Sequence, residues 1–503
     1  MAVHRPKIIL EEIEYRPGPA NLLSAFKNSP TSFLLDSACN YAKLGRFSFF
    51  GCDPFLVFKS KKNNITLEWS DGKSEIFNSD PFKALSDVFK RYDVVNENKD
   101  IPFVSGGVGY FAYDLKNFIE DLPDKAADDL GLPDCIFGFY DVVIIYDNLN
   151  EKAYVASSGF PYTDPVKNRQ RAISRLNEFK DKTYLGSAKG KVCLEDRDSY
   201  DTNTPLRQPA LESNFSKTSY MKAVERAKFY IKKGDIYQVN LSQRFQAKLD
   251  VDPLDLYERL RVLSPAPFSS YLKFKDVTIL SSSPERFLLK KGDYIETRPI
   301  KGTRPRGEDI SYDLLMEREL LESQKDRAEH VMIVDLERND LGKICKYGSI
   351  APKEFIILEK YSNVFHLVST VAGRLKKNIS PIDCLLATFP GGSITGAPKV
   401  RAMEIIETLE PVKRSIYTGA IGYISFDGNM DTSIVIRTFV IKEQNVYFQV
   451  GGGIVADSVP EKEYEETLHK AKGLMRSLGV GISSISGSVS RGNKKESVPI
   501  SLH

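Results

Sequence analysis

The sequence predicts an α+β chain built on antiparallel strands, and three observations carry that prediction. Short β-prone runs broken by Gly, Asp-Pro and Asn-Asn crowd the residues before Leu194. Between Gly419 and Ala456, three further β-rich runs are joined by Asp427-Gly428-Asn429 and Lys442-Glu443-Gln444-Asn445, the pattern of an antiparallel meander. Helical periodicity is found in separate stretches that begin near Ser216, Ser311 and Pro460.

Ser32 to Ser37, Arg46 to Phe50, Phe55 to Ser60 and Asn64 to Trp69 read as the first strands. Gly106 to Asp114 is glycine-rich and aromatic but lacks the Gly-x-Gly-x-x-Gly spacing of a nucleotide loop, so it reads as a close-packed strand or pocket wall. Val142 to Tyr146 and Lys152 to Ser157 flank Asp147-Asn148-Leu149-Asn150 as a hairpin. Ser216 can cap a helix carrying Tyr220, Val224, Ala227 and Ile231 on one side, and Gly234-Asp235 stops it. Gln238 to Leu249 reads as a strand whose polar face, Asn240, Ser242 and Arg244, is left to water or a ligand. Ser311 to Ala328 reads as one helix with Leu314, Leu315, Arg318 and Leu321 on a partly apolar side. Met430 to Lys442 is apolar on both sides and reads as a single strand covered on both faces. Pro460 to Leu478 is helical, and the Ser-rich, charged segment after it reads as a tail. The chain divides into a strand-rich region at 1–195, a linker at 196–214, a second region at 215–479 and a flexible tail at 480–503.

With 503 residues, 42% hydrophobic and 27% charged, the composition is that of an ordinary globular protein. A net charge of +3 is too close to neutral to suggest a nucleic-acid partner. No apolar run reaches bilayer length and Met1 to Leu10 holds no signal-peptide core, so the expectation is a cytoplasmic protein without a membrane role. Six cysteines without a Cys-x-x-Cys pair argue against zinc and against a disulfide framework.

The chemistry-bearing residues gather in the second region. Arg298 to Gly307 carries four cations among two prolines and two glycines, which reads as a shaped loop: a solvated basic turn or the edge of an anion site. Asp326 and Glu329, three apart, share a helix face, as do Glu463 and Glu466. Each pair alone reads as a solvated acidic face; two converging pairs would repel unless a hard cation lay between them, and oxygen ligands favour magnesium. Arg437 lies among Ile434, Val435, Ile436, Phe439 and Val440, and must pair with a bound carboxylate or one of the chain's own acids. Gly451, Gly452 and Gly453 on the next strand would leave bare backbone for a ligand. Gly391 to Lys399 lacks the Gly-Lys-Ser/Thr of a phosphate loop, but the helix from Val400 could direct its first amides at an anion.

Ser283-Pro284-Glu285-Arg286-Phe287, Pro299 to Gly307, Glu329-His330 followed by Asp335 to Asp340, Phe365-His366-Leu367-Val368-Ser369, Gly396-Ala397-Pro398-Lys399 and Gly451 to Val455 occur in an order that resembles the chorismate-utilising enzymes. Leu34-Leu35-Asp36-Ser37 and Gly45-Arg46-Phe47-Ser48 extend the resemblance to the large subunits of that family. The resemblance implies a large antiparallel β-sandwich with outer helices, the two regions interleaving as one body. It implies Glu329 and Glu466 as principal Mg2+ ligands with Asp326 and Glu463 nearby, and a carboxylate grip of Arg437, Tyr417 and the Gly451, Gly452 and Gly453 backbone. Thr303 and Ser393 would contact substrate, His366 would lie near the ring, and Glu285 would be the general acid. Leu35, Asp36 and Ser37 resemble the family's amino-terminal amino-acid pocket.

Within the family, Lys301 separates the reactions. It resembles the Pro-Ile-Lys-Gly-Thr of enzymes that form 4-amino-4-deoxychorismate, where anthranilate-forming enzymes carry alanine; Gln238-Val239-Asn240 lacks the lysine of the isochorismate and salicylate synthases. The expected reaction is therefore amination of chorismate at C4 through a covalent Lys301 adduct, toward 4-aminobenzoate and folate. A neutral lysine at pH 7 costs about 4 to 5 kcal/mol unless its surroundings help. Anthranilate formation is the alternative, and a non-catalytic amino-acid-sensing or scaffold protein a remote one. No segment resembles a glutaminase, so ammonia is expected from a partner glutamine amidotransferase subunit.

Overall fold

Two antiparallel sheets dominate the computed structural model, which describes residues 5–14, 18–39, 44–187, 208–307, 309–361 and 364–481. The expected tail beyond 481 and most of the expected linker fall outside these residues. The first sheet runs in the order Ile9–Ile13, Lys152–Ser157, Val142–Asp147, Phe47–Cys52, Ser32–Asp36, Phe268–Lys273, Thr278–Ser283, Thr438–Lys442, Asn445–Ile454, Gln238–Lys248 and Glu212–Ser213. The second runs Ile300–Pro305, Val364–Arg374, Tyr294–Arg298, Arg286–Lys291, Met430–Ile434, Ala420–Ser425, Gly106–Phe111, Cys135–Tyr140, Leu56–Lys61, Asn64–Trp69 and Ser74–Asn78. Each sheet takes strands from both ends of the sequence.

Hydrophobic burial explains the layering. Phe33, Phe49 and Ile279 from the first sheet meet Tyr110, Ile136, Tyr140 and Tyr423 from the second in one buried cluster. Phe33 lies edge-on to Tyr140 with ring centroids 4.6 Å apart. The outer face of the first sheet is covered by the helices Pro253–Leu263 and Pro460–Ser477, that of the second by Pro81–Phe89 and Pro381–Thr388. The fold is thus α+β, a sandwich of two sheets between helices, as expected. Among the described residues no helix is long and apolar enough to cross a membrane.

Gly109 shows how tightly the second sheet is drawn. A Cβ there would lie 1.8 Å from the Ile136 carbonyl oxygen. Gly109→Ala is expected to cost about 2 kcal/mol or more, the scale of overpacking, read as a lowered urea midpoint.

Four local readings change. Met430 to Lys442 is not one strand: Met430–Ile434 pairs in the second sheet and Thr438–Lys442 in the first, so the apolar run crosses between layers. The polar face of Gln238–Lys248 is not open, because the Ser242 amide and hydroxyl both donate to Glu410 Oε1, at 2.9 and 2.7 Å. Arg298 to Gly307 is not a loop but the end of one strand, Tyr294–Arg298, and the whole of the next, Ile300–Pro305. Ser311 to Ala328 is broken at Ser323 into the helices Ile310–Glu322 and Gln324–Gly342, and Leu314, Leu315 and Leu321 face solvent while Met316 and Leu320 are buried.

Candidate active site

The interlayer crossing places Arg437. The residue takes a φ of +50° between the two strands, and among the described residues it makes no ion pair. Its Nη2 donates to His366 Nε2 at 3.4 Å. A guanidinium only donates, so this contact makes Nε2 the acceptor and leaves the imidazole proton on Nδ1, which faces Thr303 Oγ1 at 2.8 Å. Burial, aided by the Arg437 charge, pushes the His366 pKa down to about 3. The ring is therefore neutral at ordinary pH, and the Thr303 hydroxyl, accepting from Nδ1, keeps its own hydrogen to offer a ligand.

Lys301 is set by a bulge. Pairing with Val364–Arg374 shifts register between Lys301 and Thr303, and Gly302 between them has a φ of +81°. A Cβ at Gly302 would come 3.0 Å from Leu320 Cδ1. Burial depresses the pKa of the half-buried Lys301 amine; Glu329, Glu285 and Glu466 oppose that shift and Lys470 adds to it. Glu285, 5% exposed, accepts from the Ile300 amide at 3.4 Å. Burial raises its pKa, against the Ser393 hydroxyl and the Lys301 and Arg437 charges. A carboxyl inclined to keep its proton thus stands beside an amine inclined to lose one, an arrangement suited to acid and nucleophile.

The four expected acidic groups divide. Asp326, in the first turn after Ser323, accepts from Arg304 Nη2 at 3.0 Å, so its charge is committed to an ion pair. Glu329, one turn on, has its pKa raised by burial, with Lys301 and Lys325 opposing. Glu466 is held 2.8 Å from Lys470, which lowers its pKa; Lys470 also donates to the Gly451 carbonyl at 3.0 Å. Glu463 is buried, and its Oε2 has no hydrogen-bond partner. Among the described residues no group of three or more His, Cys, Asp or Glu side chains forms a ready metal centre.

Only Gly452 of the three glycines opens on these acids. A Cβ there would stand 3.4 Å from both Glu463 Oε2 and Glu466 Oε1. At Gly451 and Gly453 it would instead meet Asn240 Oδ1 at 2.7 Å and Gln238 Nε2 at 2.2 Å, so those two glycines accommodate the neighbouring strand. Tyr417 is buried against the Arg414 guanidinium, 5.8 Å from the ring centroid, and the amide of the following residue, Thr418, bonds to Val435 at the interlayer crossing.

Asp36 in the expected amino-acid pocket is already engaged. Arg261 Nε lies 2.5 Å from its Oδ2 and the Tyr257 hydroxyl donates to it at 3.3 Å. Ser37 Oγ donates to the Phe47 carbonyl at 2.9 Å, and Leu35 is half-buried beside them. Sequence reading missed Lys470 and the pairing of Arg304 with Asp326. The i, i+4 spacing of Glu466 and Lys470 could have signalled the first; nothing local joins Arg304 to Asp326.

Comparison with known proteins gives a consistent setting for this geometry. A family model described as chorismate binding enzyme matches residues 39–476. Anthranilate synthase component 1 of Acetivibrio thermocellus is 40% identical over 460 residues, 92% of each chain. Aminodeoxychorismate synthase component 1 of Bacillus subtilis (strain 168) is 38% identical over 439 residues, 87% of this chain and 90% of that protein. The crystal structure of anthranilate synthase component I from Streptococcus pneumoniae TIGR4 superimposes with a TM-score of 0.73 at 32% identity, covering 85% of this chain and 92% of that one.

Proposed function

Because the chain belongs to the chorismate binding enzyme family, we propose that it aminates chorismate and that Lys301 directs the ammonia to C4 of the ring. The observation that carries the choice of carbon is the placement of Lys301 among Glu285, Glu329 and Glu466. Arg437 holds one substrate carboxylate through a bidentate pair, with Thr303 and His366 beside it. The neutral Lys301 amine adds at C2; the ring double bond shifts, the C4–O bond breaks, and Glu285 gives its proton so that the oxygen leaves as water. Ammonia then adds at C4, the double bond returns, the C2–N bond breaks, and the lysine leaves. Two successive displacements put the amine on the face the hydroxyl left.

The unpartnered Glu463 Oε2, the adjacent Glu466 carboxylate and the space kept by Gly452 fit a hard cation. Glu329, Glu463 and Glu466 would hold Mg2+, with Asp326 withheld by Arg304. Bound there, the ion supplies positive charge that offsets a ring carboxylate otherwise repelled by these acids. A glutamine amidotransferase subunit delivers the ammonia, and the pair works in the cytoplasm.

Formation of anthranilate is the second reading. The Acetivibrio relative and the Streptococcus structure both carry that name, and the identities, 40% against 38%, lean the same way. Product analysis separates the two. With chorismate, Mg2+ and ammonium ion, 4-amino-4-deoxychorismate is expected by mass spectrometry, and EDTA is expected to suppress it. Anthranilate with pyruvate would replace the C4 reading; no consumption of chorismate would leave an amino-acid-sensing or scaffold role.

A further inference from the structure

Donating its proton leaves Glu285 a carboxylate after every turnover, yet the side chain is almost sealed from water. A line of titratable groups leads away from it. Ser393, whose hydroxyl acts to lower the Glu285 pKa, directly follows Gly392, whose amide donates to Glu337 Oε1 at 3.0 Å. Gly392 lets that carboxylate approach, since a Cβ there would stand 3.0 Å from Glu337 Oε1. Glu337 is 3% exposed, on the Gln324–Gly342 helix. Next along is Asp340, 2% exposed, ion-paired to Lys399 and, at 3.0 Å, to Lys343, whose side chain is 52% exposed. Asp340, Lys343 and Lys399 line a surface groove with Leu336 and Asn339.

We propose that Glu337 reloads Glu285 with its proton, carrying it inward from the groove at Asp340 and Lys343 past Ser393. In the transfer, Glu337 gives a proton through water to the Ser393 oxygen as the Ser393 hydrogen moves to Glu285. Glu337 is then replenished from water in the groove. The charged groups facing Glu337 are Asp340 from its own helix, Lys399 from the start of the helix Lys399–Leu409 and Glu285 from the turn after Thr278–Ser283. Burial and the Asp340 charge raise the Glu337 pKa to about 7, with Lys399 opposing, so near neutrality it both holds and releases a proton. The inference rests on Glu285 as the acid, and not on which carbon receives ammonia.

Glu337→Gln keeps the volume and an oxygen for the Gly392 amide but has no carboxylic acid proton to transfer. Chorismate consumption is expected to show kcat about tenfold lower with KM unchanged, loss of the limb of the pH profile near 7, and partial rescue by small-acid buffers. A folded variant, judged by its melting curve, with wild-type kcat and pH profile would overturn the proposal. Should the variant not fold, wild-type rates in mixtures of H2O and D2O decide: a curved dependence supports more than one proton in transfer, and a linear one overturns it. Glu285→Gln with undiminished turnover would instead mark failure of the acid assignment itself.

Discussion

Replacing Lys301 with alanine is expected to reduce formation of the C4-aminated product by on the order of 10³-fold or more, the scale on which loss of a nucleophile falls. In the proposed reaction the amine occupies C2 while the C4 oxygen departs. Without it, ammonia must displace that oxygen directly, which gives the opposite configuration at C4. The proposed carboxylate-holding group Arg437 and the proposed acid Glu285 do not depend on the lysine for their positions: one is fixed by the interlayer crossing, the other by the Ile300 amide. Chorismate is therefore expected to bind the variant with a Kd within a few-fold of wild type by calorimetry, while chemistry at C2 can persist. Trapping chorismate on the wild-type chain and mapping the adduct by mass supplies the direct check; attachment to any other residue would sink the assignment.

Glu285→Gln is expected to lower kcat by about 10²- to 10⁴-fold, the range for loss of a general acid, with little change in substrate affinity. The pH dependence has a definite sign. Burial raises the Glu285 pKa, so the competent protonated form is present at lower pH and is lost as pH rises through the raised value. That limb should vanish in the variant. The stability effect runs the other way. Below the unfolded-state pKa both states hold the proton and the group is neutral to folding; above the folded-state pKa the native state bears a buried charge. Removing the carboxyl is thus expected to leave Tm at pH 7 unchanged or raised, which separates a lost proton donor from a damaged fold.

Much of the architecture was legible because alternation and turn residues report local geometry directly. The hairpin closed at Asp147 to Asn150 and the helix capped by Ser216 stand where the pattern put them. The run from Met430 to Lys442 misled because burial on both sides looks the same whether a strand is sandwiched once or passes from one layer to the other. Only the left-handed backbone at Arg437 marks the passage, and an arginine carries no signal for it. Leu314, Leu315 and Leu321 misled for a related reason, since hydrophobicity does not say which side of a helix has a partner. In the site, the family resemblance pointed to Lys301 and Glu285 and the spacing of carboxylates to the acidic groups, but pairing between distant segments decides their state. Arg304 withdraws Asp326, and Gln238 and Asn240 take up the room beside Gly453 and Gly451.

Having its anchor points in opposite layers makes Arg437 a gauge of their alignment. A slide of one sheet over the other would drag the guanidinium with it, so the proposed anion grip inherits its precision from interlayer contacts such as Phe33 on Tyr140. Core substitutions between the layers should therefore register as weakened chorismate binding before they register as unfolding.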